Sequence, residues 1–259
     1  MRIPLFQIDA FARNVFAGNP AAVCPLESWL PDATLQAIAA ENSLSETAFF
    51  VGAAGAYELR WFTPVTEVDL CGHATLASAF VVFERLDPTL SEVRFTTRSG
   101  TLAVARDGEL LAMDLPARPP EPCAPPAGLF EALGARPREL LKARDLMALF
   151  ESEDAVRSLR PDMERLKRVD CFAVIVTARG DEVDFVSRFF APAVGIPEDP
   201  VTGSAHCTLV PYWARALGKR RLQARQVSAR GGELFCDDHG ERVRVAGRVV
   251  LFLEGTINI

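Results

Sequence analysis

The feature that most constrains this chain is an internal repeat. Tyr57-Glu-Leu-Arg-Trp-Phe-Thr-Pro64 and Phe185-Val-Ser-Arg-Phe-Phe-Ala-Pro192 match in register at aromatic, Arg, aromatic, Phe and Pro. Each block is followed by a Glu and, five residues on, by a Gly that opens an apolar run: Glu67 with Gly72, and Glu198 with Gly203. Thr97-Arg-Ser-Gly-Thr-Leu102 is echoed by Ala229-Arg-Gly-Gly-Glu-Leu234, and Ser45-Glu-Thr-Ala-Phe-Phe-Val51 by Val169-Asp-Cys-Phe-Ala-Val-Ile175. Four matched blocks in one order mean that the chain must fold as two similar bodies.

Between the blocks lies Pro116-Ala-Arg-Pro-Pro-Glu-Pro-Cys-Ala-Pro-Pro-Ala127. Its six prolines in twelve residues exclude a helix or a central strand and predict a stiff, extended connector. The expected division is 1–115, a connector over 116–127, and 128–259, with the last strand free to return to the first domain. Alternation and apolar runs predict strands at Leu5–Phe11, Ala48–Gly52, Tyr57–Phe62, Glu92–Thr97, Leu102–Arg106 and Leu110–Leu115. In the second half they predict Leu146–Phe150, Ala173–Thr177, Val183–Phe190, Gln226–Ala229, Leu234–Asp237, Glu241–Ala246 and Val249–Glu254. Helices are expected at Asp32–Glu41, His73–Arg85, Gly128–Leu133, Glu153–Leu159, Asp162–Arg168 and Ser204–Leu217. The run from Ala74 to Phe83 is apolar on nearly every side, so its helix should be buried all round, with a sheet wrapped about it. The expected class is α+β. Arg60 and Arg188 fall at equivalent repeat positions and read as outward-facing strand charges.

Composition narrows the function. Of 259 residues, 49% are hydrophobic and 24% charged, and the net charge is −6. The one dense basic run, Lys219-Arg220-Arg221, has no interleaved aromatic, so no nucleic-acid partner is expected. No stretch reaches the length of a membrane helix, and the N-terminus lacks a signal-peptide pattern, so a soluble cytoplasmic protein without a membrane partner is expected. Six cysteines form no C-x-x-C pair, and the three histidines form no cluster. No G-x-G-x-x-G and no P-loop occurs. The expectation is an enzyme that works without metal or other cofactor.

Two places suggest chemistry. Gly72 and Gly203 open helices whose first amides can approach a ligand closely and carry partial positive charge. Either these are ordinary helix starts, with Ser204 as a cap, or they grip a carboxylate or an enolate-like charge across an inter-domain cleft.

Three segments, Asn42-Ser-Leu-Ser-Glu-Thr-Ala-Phe49, Cys71-Gly-His-Ala-Thr75 and Glu198-Asp-Pro-Val-Thr-Gly-Ser-Ala-His206, resemble the signatures of the PhzF-like phenazine-biosynthesis family. Phe6-Gln-Ile-Asp-Ala-Phe11 and Phe16-Ala-Gly-Asn-Pro20 fit the same family. The resemblance implies a diaminopimelate-epimerase-like fold: two pseudo-symmetric domains, each a strongly bent, mostly antiparallel sheet around a central helix. It also implies a cofactor-free isomerase, usually a homodimer, that moves a proton between carbons of a small carboxylate-bearing substrate. Glu46 matches the family's catalytic carboxylate. His73, Asp199 and Ser204 match the polar residues that orient substrate and aid proton transfer. Gly72 and Gly203 match the helix-opening glycines, with Cys71, Ala74, Thr202 and Ala205 lining the same turns.

A base that removes and returns a proton must be held against a weakly acidic C–H, with fixed donors for the developing charge. Leu44 and Ala48 to Val51 flank Glu46 and predict an apolar wall for it. The wider fold superfamily contains two-thiol racemases with a Cys before each helix-opening Gly. Here Cys71 precedes Gly72, but Thr202 precedes Gly203, and a hydroxyl is far too weak an acid to mirror a thiol. A Glu46-dependent isomerase is therefore expected. A Cys71-dependent racemase or dehydratase and a non-catalytic binding protein stand as alternatives.

Overall fold

A computed structural model describes residues 1–259. The chain divides into two compact units, Met1–Asp114 with Ala246–Ile259, and Leu115–Val245. The class is α+β, with a strongly bent, mostly antiparallel sheet around a helix in each unit.

The first unit opens with β1 (Arg2–Ala10), β2 (Asn19–Leu26), α1 (Asp32–Asn42), β3 (Glu46–Ala53) and β4 (Ala56–Phe62). It continues with β5 (Glu67–Val68), α2 (Gly72–Val81), β6 (Glu92–Thr97), β7 (Gly100–Asp107) and β8 (Leu110–Pro116). Strand β2 runs parallel to β3 after the α1 crossover, and β4 runs parallel to β6 after α2. The remaining ladders, β1–β2, β3–β4, β4–β5, β6–β7 and β7–β8, are antiparallel. Helix α2 packs on β1, β2, β3 and β7, and Ala74 to Ala79 are all buried. Its two buried hydroxyls turn back on their own helix: Thr75 Oγ1 donates to Cys71 O at 2.6 Å and Ser78 Oγ to Ala74 O at 2.8 Å. Helix α1 covers the opposite face with Leu35, Ile38 and Ala39 against Ile3, Cys24, Phe49 and Phe62. Helix α2 ends at Val81, and one wider turn, Val82–Leu86, closes the stretch expected to be helical to Arg85.

Strand β2 contains Pro20 and Pro25, which conceal it in the sequence. The registers show how it tolerates them: Pro20 pairs only with β1 and Pro25 only with β3, so each sits where one neighbour is absent.

The second unit contains β9 (Glu121–Pro122), α3 (Leu129–Leu133), β10 (Glu139–Lys142), β11 (Leu146–Leu149), α4 (Glu153–Ser158) and α5 (Met163–Leu166). These are followed by β12 (Val174–Arg179), β13 (Phe185–Ala191), β14 (Ile196–Asp199), α6 (His206–Leu217), β15 (Arg221–Gln226), β16 (Gly232–Asp238) and β17 (Arg242–Gly247). The strand plan repeats that of the first unit. Strand β11 is parallel to β12, β12 antiparallel to β13, and β13 parallel to β15 after the α6 crossover. The last strand, β18 (Val249–Asn258), pairs antiparallel along the whole of β1.

The proline-rich segment lies in the second unit. Its Glu121 and Pro122 pair with Lys142 and Leu141, and Cys123 N donates to Leu140 O at 3.2 Å. Pro211, inside α6, has no N–H for the Cys207 carbonyl one turn back. Arg118 N takes that place at 2.8 Å, so the defect in the helix becomes an anchor for the segment.

Three local expectations are corrected. Gln226 ends β15, and Val227 to Arg230 lie outside any strand. Arg221-Leu-Gln-Ala-Arg-Gln226 alternates buried Leu222, Ala224 and Gln226 with outward polar residues, which is the pattern of a strand with one buried and one charged face. The Ser45 and Val169 blocks do not correspond as the apolar match suggested. Phe49 stands opposite Arg60 and Val176 opposite Arg188, so the counterpart of Glu46 is Ala173, not Asp170. Apolar strands look alike when slid along one another, and only the arginines fix the register.

Those arginines are not outward charges either. Arg60 forks onto Glu67 with both bonds at 2.8 Å and lies 5.1 Å over Phe62. Arg188 forks onto Glu198 at 2.8 and 3.0 Å and lies 4.9 Å over Phe190. Arg188 is only 8% exposed and also donates to Val156 O and Leu159 O at the end of α4. The Arg-x-Phe pattern and the following Glu are thus one device used twice, a guanidinium that clamps the segment leading to each helix start.

Candidate active site

The first half-site is set by three elements. Strand β3 begins with Glu46. Its side chain shares a face with Ala48 and Phe50, whereas Phe49 belongs to the α1 side. The apolar wall expected from Ala48 to Val51 is therefore only half present, because period-two alternation sends every other residue away. Helix α2 supplies Gly72, His73 and Ala74 after an extended Cys71. Asn19 opens β2, directly after the loop from β1. Phe11, Phe16 and Gly18 in that loop hold positive φ, and Phe16 N is tied to Asp9 Oδ2 at 2.9 Å. This is a costly backbone for residues other than glycine, and it ends at Asn19.

Glu46 is 7% exposed and His73 5%, and His73 Nε2 lies 3.1 Å from Glu46 Oε2. The contact has the distance of an ion pair, but Oε2 finds no well-aligned hydrogen bond. A buried carboxylate oxygen thus keeps acceptor capacity in reserve. The Asn19 amide meets the other ring nitrogen, Nδ1, at 3.1 Å, and Cys71 Sγ is 3.5 Å from the same atom. Asn19 can present its nitrogen or, turned over, its oxygen, and so can serve either protonation state of the ring.

Burial alone would press the His73 pKa down. The neighbouring Cys71 and Glu46 outweigh it, and the ring is held well above its ordinary value. The Cys71 thiol is pushed up to about 11 by burial and by the Glu46 charge, against weaker pulls from His73 and the Ala74 amide. Burial thus favours the uncharged Cys71 thiol, and Cys71 and Glu46 together favour a proton on His73. Glu46, Cys71 and His73 each offer one ligand atom, all within 4.8 Å of one another. They are the residues that could hold a metal ion, although no motif spacing foretold it.

The second half-site begins at Asp199, the last residue of β14. Thr202 Oγ1 donates to Asp199 Oδ2. Gln226, fully buried, accepts from Thr202 N at 2.9 Å and donates to Asp199 O at 2.7 Å and Thr202 Oγ1 at 3.2 Å. Ser228 Oγ holds Pro200 O at 2.7 Å. The Asp-Pro turn is therefore pinned from the neighbouring strand and loop, and Val201 within it is buried. One tight turn, Gly203–Ala205, precedes α6. His206 Nδ1 lies 2.9 Å from Thr202 O, the place that Thr75 Oγ1 takes at 2.6 Å from Cys71 O in the first unit. Burial lowers the His206 pKa to about 4 against a smaller lift from that backbone bond, so the ring is neutral and donates through Nδ1. Ser204 stands apart from Asp199, and its Oγ meets Arg144 Nη2 at 3.4 Å.

The structure thus groups Glu46, Cys71, Gly72, His73 and Ala74 in one unit, and Asp199, Thr202, Gly203, Ser204 and Ala205 in the other. Ala74 and Ala205 are buried and offer only their backbone. Sequence reasoning missed Asn19, Gln226 and Arg144 as site residues. Asn19 lay within the Ala-Gly-Asn-Pro run, but nothing near Gln226 or Arg144 in the chain marks them.

Known proteins share this sequence and fold. A Pseudomonas aeruginosa protein named as an uncharacterized isomerase is 57% identical over 100% of both chains. The crystal structure of a PhzF-family phenazine biosynthesis protein from Enterococcus faecalis is 48% identical, covers 100% of both chains, and superposes with a TM-score of 0.97. A predicted epimerase from Pseudomonas aeruginosa shares the fold, with a TM-score of 0.75 at 21% identity over 98% of this chain and 99% of its own. The class so defined is an isomerase on the epimerase fold. More narrowly, the chain belongs to the phenazine biosynthesis-like family, PhzC-PhzF, which it matches over residues 8–255. No helix is long and apolar enough to cross a membrane.

Proposed function

We propose that this isomerase shifts a proton between carbons of a small carboxylate-bearing metabolite without a cofactor, and that Glu46 is the base and acid. The observation that carries the proposal is the buried Glu46 carboxylate against His73, with Oε2 lacking an aligned hydrogen bond. Glu46 takes the proton from a carbon next to an unsaturated system, and the electron pair moves into that system. The same carboxyl group then returns the proton to a second carbon, so that no atom or charge is gained or lost. His73 holds its proton toward Glu46 and stabilises the anion before and after transfer. Asp199 and Ser204 orient the substrate. A homodimer is the expected assembly, to be tested by sedimentation.

The thiol alternative is disfavoured. Cys71 is raised to about 11, the opposite of what a thiolate base requires, and its repeat counterpart is Thr202. The test is a screen of small amino and hydroxy acids for uptake of solvent deuterium. Glu46→Gln should abolish exchange, and Cys71→Ala should retain most of it. The reverse pattern would transfer the chemistry to the thiol, and no exchange with any acid would favour a binding protein.

A further inference from the structure

Strand registers allow the two units to be compared position by position. Phe49 pairs with Cys24 on one side and Arg60 on the other, and Val176 pairs likewise with Ala148 and Arg188. Counting back along the parallel pairs, Pro20 corresponds to Arg144, Ala21 to Asp145 and Glu46 to Ala173. From the helix-opening glycines, His73 corresponds to Ser204. Where the first unit places a carboxylate and an imidazole, the second therefore has a methyl group, a hydroxyl and a guanidinium.

That guanidinium is built in. Arg144 Nε and Nη2 fork onto Asp145 at 2.9 and 2.7 Å, and Asp145 is 1% exposed. The plane lies 5.0 Å from the ring centre of Phe172, a side chain that is 48% exposed. Nη2 reaches Ser204 Oγ, while Nη1 takes part in none of these bonds. A fork fixed on one edge by a buried carboxylate and stacked on an aromatic ring presents its other edge with little entropy left to lose.

We infer that Arg144 is a substrate-binding residue, which receives the substrate's carboxylate on the Nη1 edge beside Ser204. This rests on the proton-shift reading only for the presence of a carboxylate on the substrate. A carboxylate is favoured over a phosphate because one free edge and one hydroxyl match two oxygens in a plane.

The test is calorimetric titration of the full chain with benzoate, pyrrole-2-carboxylate and fumarate, with benzamide as the uncharged control. Arg144→Ala would strand buried Asp145, so the informative variants are the double Arg144→Gln/Asp145→Asn and the single Arg144→Lys. At least one carboxylate should bind the wild type and lose tenfold or more in the double variant, with partial recovery in Arg144→Lys and no Arg144-dependent binding of benzamide. Equal affinity in wild type and double variant overturns the inference, as does failure of all three carboxylates to bind the wild type. The two readings fail separately. Deuterium exchange that survives Glu46→Gln removes the base, whereas carboxylate affinity that survives loss of Arg144 removes the anion site.

Discussion

Replacing Arg188 by Met tests whether each arginine clamp stabilises its own unit. The substitution keeps an apolar stem over Phe190 but removes both bonds to Glu198 and both to the α4 carbonyls. Glu198 is partly buried, with 24% of its side chain exposed, and then has no cation. Stranding one partner of a buried pair costs about 3–5 kcal/mol. Arg60→Met is the internal control. Glu67 keeps a second cation, Arg98, at 2.7 Å, and Asp32 is an exposed partner, so the cost should be nearer 1 kcal/mol. For a chain of this size about 1 kcal/mol moves Tm by roughly 2–4 °C. Arg188→Met should therefore lower Tm by roughly 6–20 °C and Arg60→Met by roughly 2–4 °C. The double variant Arg188→Met/Glu198→Gln removes the stranded charge and should recover at least about 1 kcal/mol of the loss. Urea unfolding and calorimetry on the wild type and the three variants give the values. Equal costs for the two arginines, or no recovery in the double variant, would refute the argument.

Three further outcomes are expected. The raised His73 pKa adds stability that is fully present below its unfolded value, about 6.5, and is lost as pH rises through the folded value. In Glu46→Gln the support from Glu46 is gone while that from Cys71 remains, so the folded value should fall and this pH-dependent stability should shrink; urea midpoints across pH, with nitrogen-15 imidazole spectra, check this. Iodoacetamide at neutral pH should label the partly exposed Cys123 and Cys171 before buried Cys71, with its thiol near 11, as read by peptide mass spectrometry. Gly18→Ala places a Cβ 2.2 Å from Ala10 O at φ +66°, and should cost about 2–3 kcal/mol while moving Asn19 off His73. Deuterium exchange should fall in that variant even at temperatures where it stays folded.

The repeat was legible because its landmarks do a job. Arg60, Phe62 and Glu67 form one clamp, and Arg188, Phe190 and Glu198 form the other, so the residues that match in sequence are those that touch in space. Glu46 and His73 were legible through family signatures, not through spacing, because they sit on different elements. What stayed hidden has a common cause. Gln226 acts on Asp199 and Thr202 from a neighbouring strand, and Arg144 acts on Ser204 across a crossover, so no local pattern couples them. Strand β2 was masked by prolines whose harmlessness depends on which neighbour is missing at each end.

The pairing of β18 with β1 bears on the order in which the molecule is made. A polypeptide grows from its amino end, so β1 to β8 leave the ribosome long before β18 exists. During that interval β1 is paired on one side only, by β2, and shows its other row of N–H and C=O groups to whatever is near. The second unit, continuous from Leu115 to Val245, has no such debt and can close first. The half that is begun first, and that carries Glu46, is therefore the half finished last. Slow synthesis or a stall before residue 249 would leave a nascent chain with one folded unit and one open edge.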